Sequence, residues 1–364
     1  MVNEFIYSQP VKIYFGAGAF EKLGDVLESL SVSRCVLVCG RHFAPKAQEL
    51  AEKDGRICAI FSGVEQNPQL SGVEETVRLA RAHNADAVIG IGGGSSIDTA
   101  KFAAAAALGD GEALDYYCGK PFPEERLTII AVPTTAGTGS EVTQVSVVSH
   151  GTEKKTINNP VFMPTAAIVD PVLSSTVPPR TTMNTGLDAL AHALEGYWSR
   201  NHQPISDLMA IEAVRLILAN LEKAYADGGD MDARSAMAFA SLLGGLSFAL
   251  PKTAASHACS YPLSEDYHLP HGEACAFTLD SLVRINSDER LEYLCRAVGL
   301  ENTAALADRI AQLKALGGLR CRLSELGEVD IDKLAADCAA HPLMNNNPVR
   351  MDAAAVKAMF EALR

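Results

Sequence analysis

Asp188 and His192 stand four residues apart in the segment GLDALAHALEGYW, which is patterned as a helix. Residues at this spacing project from one face of a helix, one turn apart, as two ligands of one metal ion must. An Asp and a His four apart also form ordinary surface pairs. However, Leu187 and Leu190 make this helix apolar, and burying an unsatisfied carboxylate and imidazole would be costly. The spacing therefore predicts a metal site.

Three further histidines, His257, His268 and His271, follow within fifteen residues of one another. A lone histidine is usually a core or surface residue, but three beside an apolar helix call for a shared explanation. One carboxylate and two or three imidazoles form a site of intermediate hardness, which suits Fe(II) or Zn(II). The residues alone do not choose between these metals.

A glycine-rich turn, GIGGGSSIDTAK, follows an apolar strand-like run and opens a helix. Glycines let the backbone approach a pyrophosphate, and a helix N-terminus supplies free N–H groups and a partial positive charge. Such turns also occur for purely steric reasons, and this one lacks the third glycine of a Rossmann fingerprint. The residues of this turn that we predict to bind a cofactor are Gly92, Gly93, Gly94 and Ser95.

A second loop, AVPTTAGTGSEVT, also follows a strand-like run and clusters hydroxyl groups and glycines. It could be an ordinary loop held by bonds between side chains and backbone. Two such loops at strand ends in one α/β domain favour a nucleotide crevice. The predicted donors to the cofactor here are Thr134, Thr135, Thr138 and Ser140.

The elements that must position these residues change character along the chain. Up to about Asp170, short β-type runs alternate with amphipathic stretches, which is typical of βα units and a mostly parallel sheet. After STVPPRTT the chain has helical periodicity almost throughout. We predict an α/β dinucleotide-binding domain over 1–177 and an all-α metal-binding domain over 178–364.

Composition restricts the partners and the compartment. The net charge of −13 disfavours a nucleic-acid or anionic-membrane partner. Nine cysteines without a CxxC pair suit a reducing cytosol. The N-terminal segment has an early Glu4 and no basic region before an apolar run, so we expect no signal peptide and a cytoplasmic protein. The most apolar stretch, 236–251, is shorter than the roughly 20 residues of a membrane span.

These motifs, in this order, resemble the iron-containing (group III) alcohol dehydrogenases over essentially the whole chain. Further segments that carry the resemblance are YFGAGAFEKL, GVEQNP, IVDP and the PHG that follows His268. The resemblance implies a dehydroquinate synthase-like architecture, with a nucleotide-binding α/β domain and a helical metal domain. It implies that the metal ligands are Asp188, His192, His257 and His271, and it leaves His268 outside the set.

The resemblance also suggests residues around the cofactor and substrate. Asn67, Asp98 and Lys154 match positions where family members line the cleft. His271, as a ligand of the ion that would polarise the substrate, is included among the catalytic residues.

Two positions near the ligands depart from the family pattern. Members usually carry a second histidine four residues after the third ligand, where this chain has Tyr261, and Lys252 stands where typical members are rich in Asn and Gly. A tyrosine could relay a proton by a different route, and a lysine could bind an anionic substrate or merely extend from a helix end. Together they resemble the phosphonoacetaldehyde reductase branch of the family.

The turn after VLVCG departs from the family pattern as well. Relatives that prefer NAD tend to place an Asp there against the ribose 2′-hydroxyl, whereas this chain has Gly40 and Arg41. An arginine can accept the 2′-phosphate of NADP, so NADPH is a plausible cofactor. A solvated surface charge is the alternative role for Arg41.

The expected function is the metal-dependent, NAD(P)H-linked reduction of a small aldehyde, with phosphonoacetaldehyde as the first candidate substrate. The alternatives are another short alcohol, diol or anionic semialdehyde: 1,2-propanediol or lactaldehyde, sulfoacetaldehyde, or 4-hydroxybutyrate. The competing functional classes are a lyase like dehydroquinate synthase and a binding module without activity. We expect a homodimer or larger homo-oligomer.

Overall fold

The structure is a computed structural model that describes residues 4–151 and 153–364. The first residues of the N-terminal segment, on which the expected lack of a signal peptide partly rests, lie outside this description. The described residues form two compact units: an α/β unit within 8–135 and 140–174, and a helical unit that combines 175–364 with 136–139 and 4–7. The predicted division at 177/178 stays a prediction. In the described part of the chain, no helix has the length and apolarity needed to cross a membrane.

The α/β unit is built on a six-stranded parallel sheet with the strand order β1-β8-β5-β4-β2-β3. The central strands are buried runs such as CVLVC and AVIGIG, as expected for a parallel sheet covered on both faces. The α/β class predicted from the sequence is confirmed. The strands are β1 (Lys12–Phe15), β2 (Cys35–Gly40), β3 (Ile57–Val64), β4 (Ala87–Gly92), β5 (Thr128–Pro133) and β8 (Ala166–Val169).

Among the described residues of this unit, five α-helices connect or flank these strands, and apolar clusters line both faces of the sheet. They are α1 (Leu23–Ser29), α2 (Ala44–Lys53), α3 (Leu70–Ala82), α4 (Gly94–Ala106) and α5 (Ala113–Tyr117). A two-stranded antiparallel hairpin, β6 (Val145–His150) with β7 (Glu153–Asn158), lies outside the main sheet. The sequence analysis did not anticipate this hairpin.

The helical unit surrounds a single large apolar cluster. The central helix α6 begins at Pro179, and a proline at the first helical position is favourable because its missing N–H would have no partner there. Sixteen residues of α6 are buried, so it is a core helix in which each polar side chain needs a partner. The helices are α6 (Pro179–Trp198), α7 (Pro204–Ala226), α8 (Met231–Phe248), α9 (Ala255–Glu265), α10 (His271–Ile285), α11 (Glu289–Ala297), α12 (Thr303–Leu316), α13 (Ile331–Ala340) and α14 (Ala353–Glu361).

Candidate metal centre and cofactor loops

Three ionisable side chains share one buried face of α6. Asp188, His192 and Glu195 follow one another at helical spacings of four and three, and all are at most 5% exposed. Their alignment follows from the 3.6-residue period of the helix. This face of α6 therefore concentrates charge inside an otherwise apolar core.

Helices α9 and α10 bring two more histidines to this face. His257 lies in the first turn of α9, and His271 is the first residue of α10. Gly272 lets α10 approach α6 directly, because a Cβ atom at this position would lie 2.1 Å from the carbonyl oxygen of Asn184. The close approach of the two helices sets His271 against Asp188.

Oδ1 of Asp188 lies at the centre of the cluster. It is 3.6 Å from Nε2 of His257 and 3.8 Å from Nε2 of His271. Two ligands of one tetrahedral ion, each about 2.0–2.2 Å from it, would be separated by roughly 3.3–3.6 Å. These separations suit a small metal ion. The side chain of His271 is 36% exposed, while those of Asp188 and His257 are nearly buried, so the cluster opens at His271.

His192 lies beside the same carboxylate. Its Nδ1 is 3.9 Å from Oδ1 of Asp188 and 3.2 Å from the carbonyl oxygen of Gly137. If Nδ1 carries the proton and donates to Gly137, Nε2 keeps a lone pair for a metal. The ring stacks on Phe248 and lies 4.4 Å from the ring of His257. The structure thus places all four predicted ligands together, and their binding of an ion stays a prediction.

Glu195 is a functional candidate that the sequence analysis missed. Its carboxylate forms a very short contact with Nδ1 of His257 and also accepts hydrogen bonds from the backbone N–H groups of Ser256, at 2.6 Å, and His257, at 3.4 Å. It therefore satisfies the N-terminal amides of α9 and orients the His257 ring. A carboxylate behind a metal-binding histidine is a recurrent arrangement that holds the other ring nitrogen toward the ion. The signal in the sequence is the position of Glu195 seven residues after Asp188, which puts both side chains on one face of the helix, two turns apart.

Cys275 is a second candidate that was missed. It is fully buried on α10, and its Sγ lies 3.8 Å from Nε2 of His271. Four potential ligand atoms all lie within 4.8 Å of one another, and they belong to Asp188, His257, His271 and Cys275. The spacing of four residues after His271 was a signal that could have revealed it.

The polar atoms of the cluster suit a cation. Oδ1 of Asp188 and Nε2 of His257 are buried and have no hydrogen-bond partner, although buried polar atoms normally have one. Burial alone would raise the pKa of Asp188, but attraction to the imidazoles of His192, His271 and His257 outweighs it and holds that pKa well below its usual range. Burial lowers the pKa of His192 to about 4. An ionised Asp188 and a neutral His192 are the forms that bind metals. The pKa of His257 is raised, against the effect of burial, by the nearby Cys275 and Glu195, so this ring would release a proton when a metal ion binds.

The remaining histidine of the downstream stretch, His268, is exposed in the turn before α10, with a φ of 56°. It is not one of the four residues whose ligand atoms lie within 4.8 Å of one another.

Lys252 and Tyr261 lie at either end of the segment that carries His257. Lys252 occupies the turn between α8 and α9 with a φ of 70°, and its Nζ donates to the carbonyl oxygen of Ala249. Burial lowers the pKa of Lys252. The ring of Tyr261 stacks on the imidazole of His341, with centroids 4.4 Å apart. The predicted roles of both residues stay predictions.

In the α/β unit, the two predicted cofactor loops lie side by side. β4 and β5 pair in register up to Gly92 and Pro133, and the N–H of Thr134 donates to the carbonyl of Gly92. Gly92 has a φ of 151°, and a Cβ atom there would collide with Ser96, so glycine is required. The turn of Gly93, Gly94 and Ser95 is half-buried and leads into the N-terminus of α4.

The second loop divides between the two units. Thr134 and Thr135 are half-buried in the α/β unit, whereas Thr138 belongs to the segment 136–139 of the helical unit. Ser140 returns to the α/β unit, where its Oγ donates to Asp98 at 2.6 Å. The other carboxylate oxygen of Asp98 accepts from the N–H of Val147. Asp98 and Ser140 therefore help to bind α4 to the hairpin region.

Two other pairs involve predicted cofactor residues. Nζ of Lys154 donates to Oδ1 of Asn67 at 3.2 Å, which unites two predicted cleft residues. Arg41, after Gly40, lies 3.6 Å from Glu65, and both side chains are mostly exposed, so this pair contributes little to stability. Whether these residues bind a cofactor stays a prediction.

The chain matches known families and structures over its whole length. Residues 10–171 match the model for iron-containing alcohol dehydrogenase, and 182–364 match the C-terminal model of the same family. A solved sulfoacetaldehyde reductase from Bifidobacterium kashiwanohense, in complex with NAD+, is 39% identical, with a TM-score of 0.95 and 99% of each chain covered. Long-chain-alcohol dehydrogenase 1 of Geobacillus thermodenitrificans is 36% identical over 85% of this chain and 83% of its own. Sulfoacetaldehyde reductase of Bilophila wadsworthia is 30% identical, with 98% of each chain covered.

Proposed function

Because the chain belongs to the iron-containing alcohol dehydrogenase family, and is therefore an oxidoreductase that acts on alcohols or aldehydes, we propose that it reduces a short aldehyde with an anionic head group. A nicotinamide cofactor would supply the hydride, and one divalent metal ion would act as a Lewis acid toward the carbonyl. The observation that carries the metal requirement is the cluster of buried, unpartnered ligand atoms on Asp188 and His257.

The residues of the chain have distinct tasks in this proposal. Asp188, His192, His257 and His271 hold the ion, and Glu195 orients His257. The aldehyde enters at the exposed edge of His271. The Tyr261 hydroxyl delivers the proton that completes the alcohol, from a ring held in place by stacking on His341. Ordered water or the ribose hydroxyls of the cofactor are the other sources of this proton.

Lys252 provides the argument for an anionic substrate. Its ammonium group is partly removed from water, and burial lowers its pKa. A bound anion would favour the charged form and offset that cost. Lys252 stands in the chain between Phe248, whose ring stacks on His192, and the predicted ligand His257, so it belongs to the segment that connects two elements of the cluster. A charge-assisted hydrogen bond from such a group selects for an anionic head.

Two anionic substrates have support. Lys252 and Tyr261 favour phosphonoacetaldehyde, which would give 2-hydroxyethylphosphonate. Two relatives that cover nearly the whole chain carry the name sulfoacetaldehyde reductase, which makes sulfoacetaldehyde the second candidate. Both are two-carbon aldehydes with a tetrahedral anion at the far carbon, so one site chemistry serves both. A neutral aldehyde such as lactaldehyde has no comparable support from Lys252.

The cofactor is proposed as NADH or NADPH. The NAD+ in the Bifidobacterium structure supports NADH, whereas Gly40 and Arg41 support acceptance of the 2′-phosphate of NADPH. Comparing the rates with the two reduced cofactors, in wild type and Arg41→Ala, tests this. A role in NADPH binding requires Arg41→Ala to raise the KM for NADPH and leave the KM for NADH unchanged.

The substrate proposal is tested by following NAD(P)H absorbance with phosphonoacetaldehyde, sulfoacetaldehyde and lactaldehyde. Lys252→Met should lower kcat/KM for the anionic aldehydes by about 10- to 100-fold, mainly through KM, because one charge-assisted hydrogen bond is lost. The KM for lactaldehyde should stay unchanged. Lys252→Arg should retain much of the preference, and Tyr261→Phe should lower kcat instead.

The exposed Lys223 of α7 provides the control, and Lys223→Met should behave as wild type. An unchanged KM for both anionic aldehydes in Lys252→Met would refute the role of Lys252. Failure of every aldehyde to consume NAD(P)H would refute the proposed reaction and leave a lyase or a binding module. We also propose that the protein is a cytoplasmic homo-oligomer. A molecular mass measured by light scattering that equals the mass of one chain would contradict the oligomer.

A further inference from the structure

Cys275 lies where a fifth donor could reach the metal. It follows His271 by four residues on α10, so both side chains project from one face of the helix. Its Sγ is 3.8 Å from Nε2 of His271, and both atoms lie within 4.8 Å of the ligand atoms of Asp188 and His257. The predicted ligand set, which consists of one aspartate and three histidines, gives this sulfur no role.

The neighbouring atoms point to a shared ion. Oδ1 of Asp188 and Nε2 of His257 are buried without a hydrogen-bond partner and belong to the same group of ligand atoms as the sulfur. A sulfur and a nitrogen bound to one five-coordinate ion, at about 2.3 and 2.0 Å from it, would be roughly 3.0–3.7 Å apart. The observed separation of 3.8 Å is close to this range.

We propose that Cys275 is a fifth, sulfur ligand of the metal ion that Asp188, His192, His257 and His271 hold, and that it makes the site selective for Zn(II) over Fe(II). This inference rests on the proposed metal dependence and specifies which metal the site prefers. A thiolate is a softer donor than a carboxylate or an imidazole, and it favours Zn(II) over Fe(II). On binding, the thiol gives its proton to solvent, and the sulfur lone pair forms the bond to the ion.

The competing interpretation is a thiol that only forms a weak hydrogen bond with the ring of His271. In that case the sulfur contributes packing and no bond to the metal. The two interpretations differ in their spectroscopy, because a cobalt–thiolate bond gives an intense near-ultraviolet charge-transfer absorption that a thiol without a bond to cobalt does not give.

The test uses the full-length protein, stripped of metal and loaded with Co(II) without oxygen. Wild type should show both the visible d–d bands of bound cobalt and the charge-transfer band. Cys275→Ser and Cys275→Ala should lose the charge-transfer band. Cys295→Ser, which alters a buried cysteine of α11 outside the group, should keep it. Circular dichroism identifies a variant that fails to fold, and the second substitution then provides the comparison.

Each other outcome overturns the proposal. Visible cobalt bands in wild type without the charge-transfer band would mean that the site binds metal but the sulfur does not, which leaves the proposed function intact. A charge-transfer band that persists in Cys275→Ser and Cys275→Ala would assign it to another cysteine. No cobalt in wild type would refute the metal centre itself, and with it the proposed function.

Metal competition gives a second readout. After equilibration with equal Zn(II) and Fe(II) under anaerobic conditions, wild type should retain mainly zinc. Cys275→Ser should show a zinc-to-iron ratio lower by about tenfold or more, since even partners outside the ligand set change metal affinity by about 10–100-fold. An unchanged ratio would contradict the selectivity.

Discussion

Glu195 shows how one residue couples the metal centre to the surrounding helices. It contacts Nδ1 of His257 and accepts backbone hydrogen bonds at the start of α9. Glu195→Gln keeps the shape of the side chain and removes its charge. We expect the affinity for metal to fall by about 10–100-fold, because a neutral amide oxygen replaces the charged acceptor that orients the His257 ring and raises its basicity.

Chelator competition on the purified protein measures this affinity. Glu212→Gln is the matched control, because Glu212 forms an exposed ion pair with Arg215 on α7, and it should bind metal as wild type does. Equal affinities in wild type and Glu195→Gln would show that the contact with His257 has no role in metal binding.

At the residue scale, part of the cluster could be predicted from the sequence, and its binding of a metal stays a prediction. Asp188 and His192 follow from helical spacing on an apolar helix. The choice of His257 and His271 over His268 needed the family resemblance, because spacing alone does not show which side chains converge in space. Glu195 and Cys275 stand at helical spacings from predicted ligands, but only the packing of α6, α9 and α10 shows that their atoms meet at one place.

At the scale of elements, the contact between α6 and α10 positions His271. A Cβ atom at Gly272 would lie 2.1 Å from the carbonyl oxygen of Asn184 and 2.7 Å from its carbonyl carbon. Backbone atoms cannot move aside as a flexible side chain can. Gly272→Ala should therefore destabilise the protein by about 1–3 kcal/mol, as overpacking does, and should lower its metal content because His271 is displaced.

Urea unfolding and metal analysis measure both effects. Gly55→Ala is the control, because no atom lies within 4 Å of a Cβ built at Gly55. Wild-type stability and full metal content in Gly272→Ala would contradict the role assigned to this helix contact.

A short 3-10 turn, Ser140–Val142, carries the buried Glu141. Burial raises the pKa of Glu141 from its ordinary value of 4.5 to about 7, although the cation of Lys101 opposes this. Between pH 4.5 and 7, the folded protein keeps a proton that the unfolded chain has lost, so stability falls as the pH rises through this window. The contribution is roughly 3 kcal/mol at most.

Glu141→Gln removes this titration. Its stability relative to wild type should therefore increase between pH 5 and pH 7, as measured by urea midpoints at several pH values. Glu125→Gln, at an exposed position, should run parallel to wild type. A constant difference between Glu141→Gln and wild type across this range would show that Glu141 titrates normally in the folded state.

The elements themselves were largely predictable. Buried apolar runs such as β4 and the periodic helices after residue 178 have patterns that local physics imposes. The hairpin of β6 and β7 was not predicted because β7 has the polar sequence EKKTIN and is exposed or half-buried, without the apolar run that marks the strands of the main sheet. The division of the loop 134–140 between two units was also beyond the sequence, since it depends on contacts such as that between Gly139 and Gly245 of α8.

At the scale of the whole molecule, each unit has its own apolar core and its own proposed task. The α/β unit presents the paired loops for a nucleotide, and the helical unit presents the metal centre. Ligands that bind only the folded protein stabilise it by mass action. Because the net charge of the protein is −13, an anionic substrate would need a local cation at the site, which is the role proposed for Lys252.

The central claim is that reduction depends on the ion held by Asp188, His192, His257 and His271. The most direct measurement follows NAD(P)H consumption with the anionic aldehydes while the same sample is assayed for metal, before and after chelation and after metal is restored. We predict one equivalent of metal per chain, loss of activity in proportion to metal removed, and recovery on restoration, with His271→Ala deficient in both. Full activity in a metal-free sample would contradict the account.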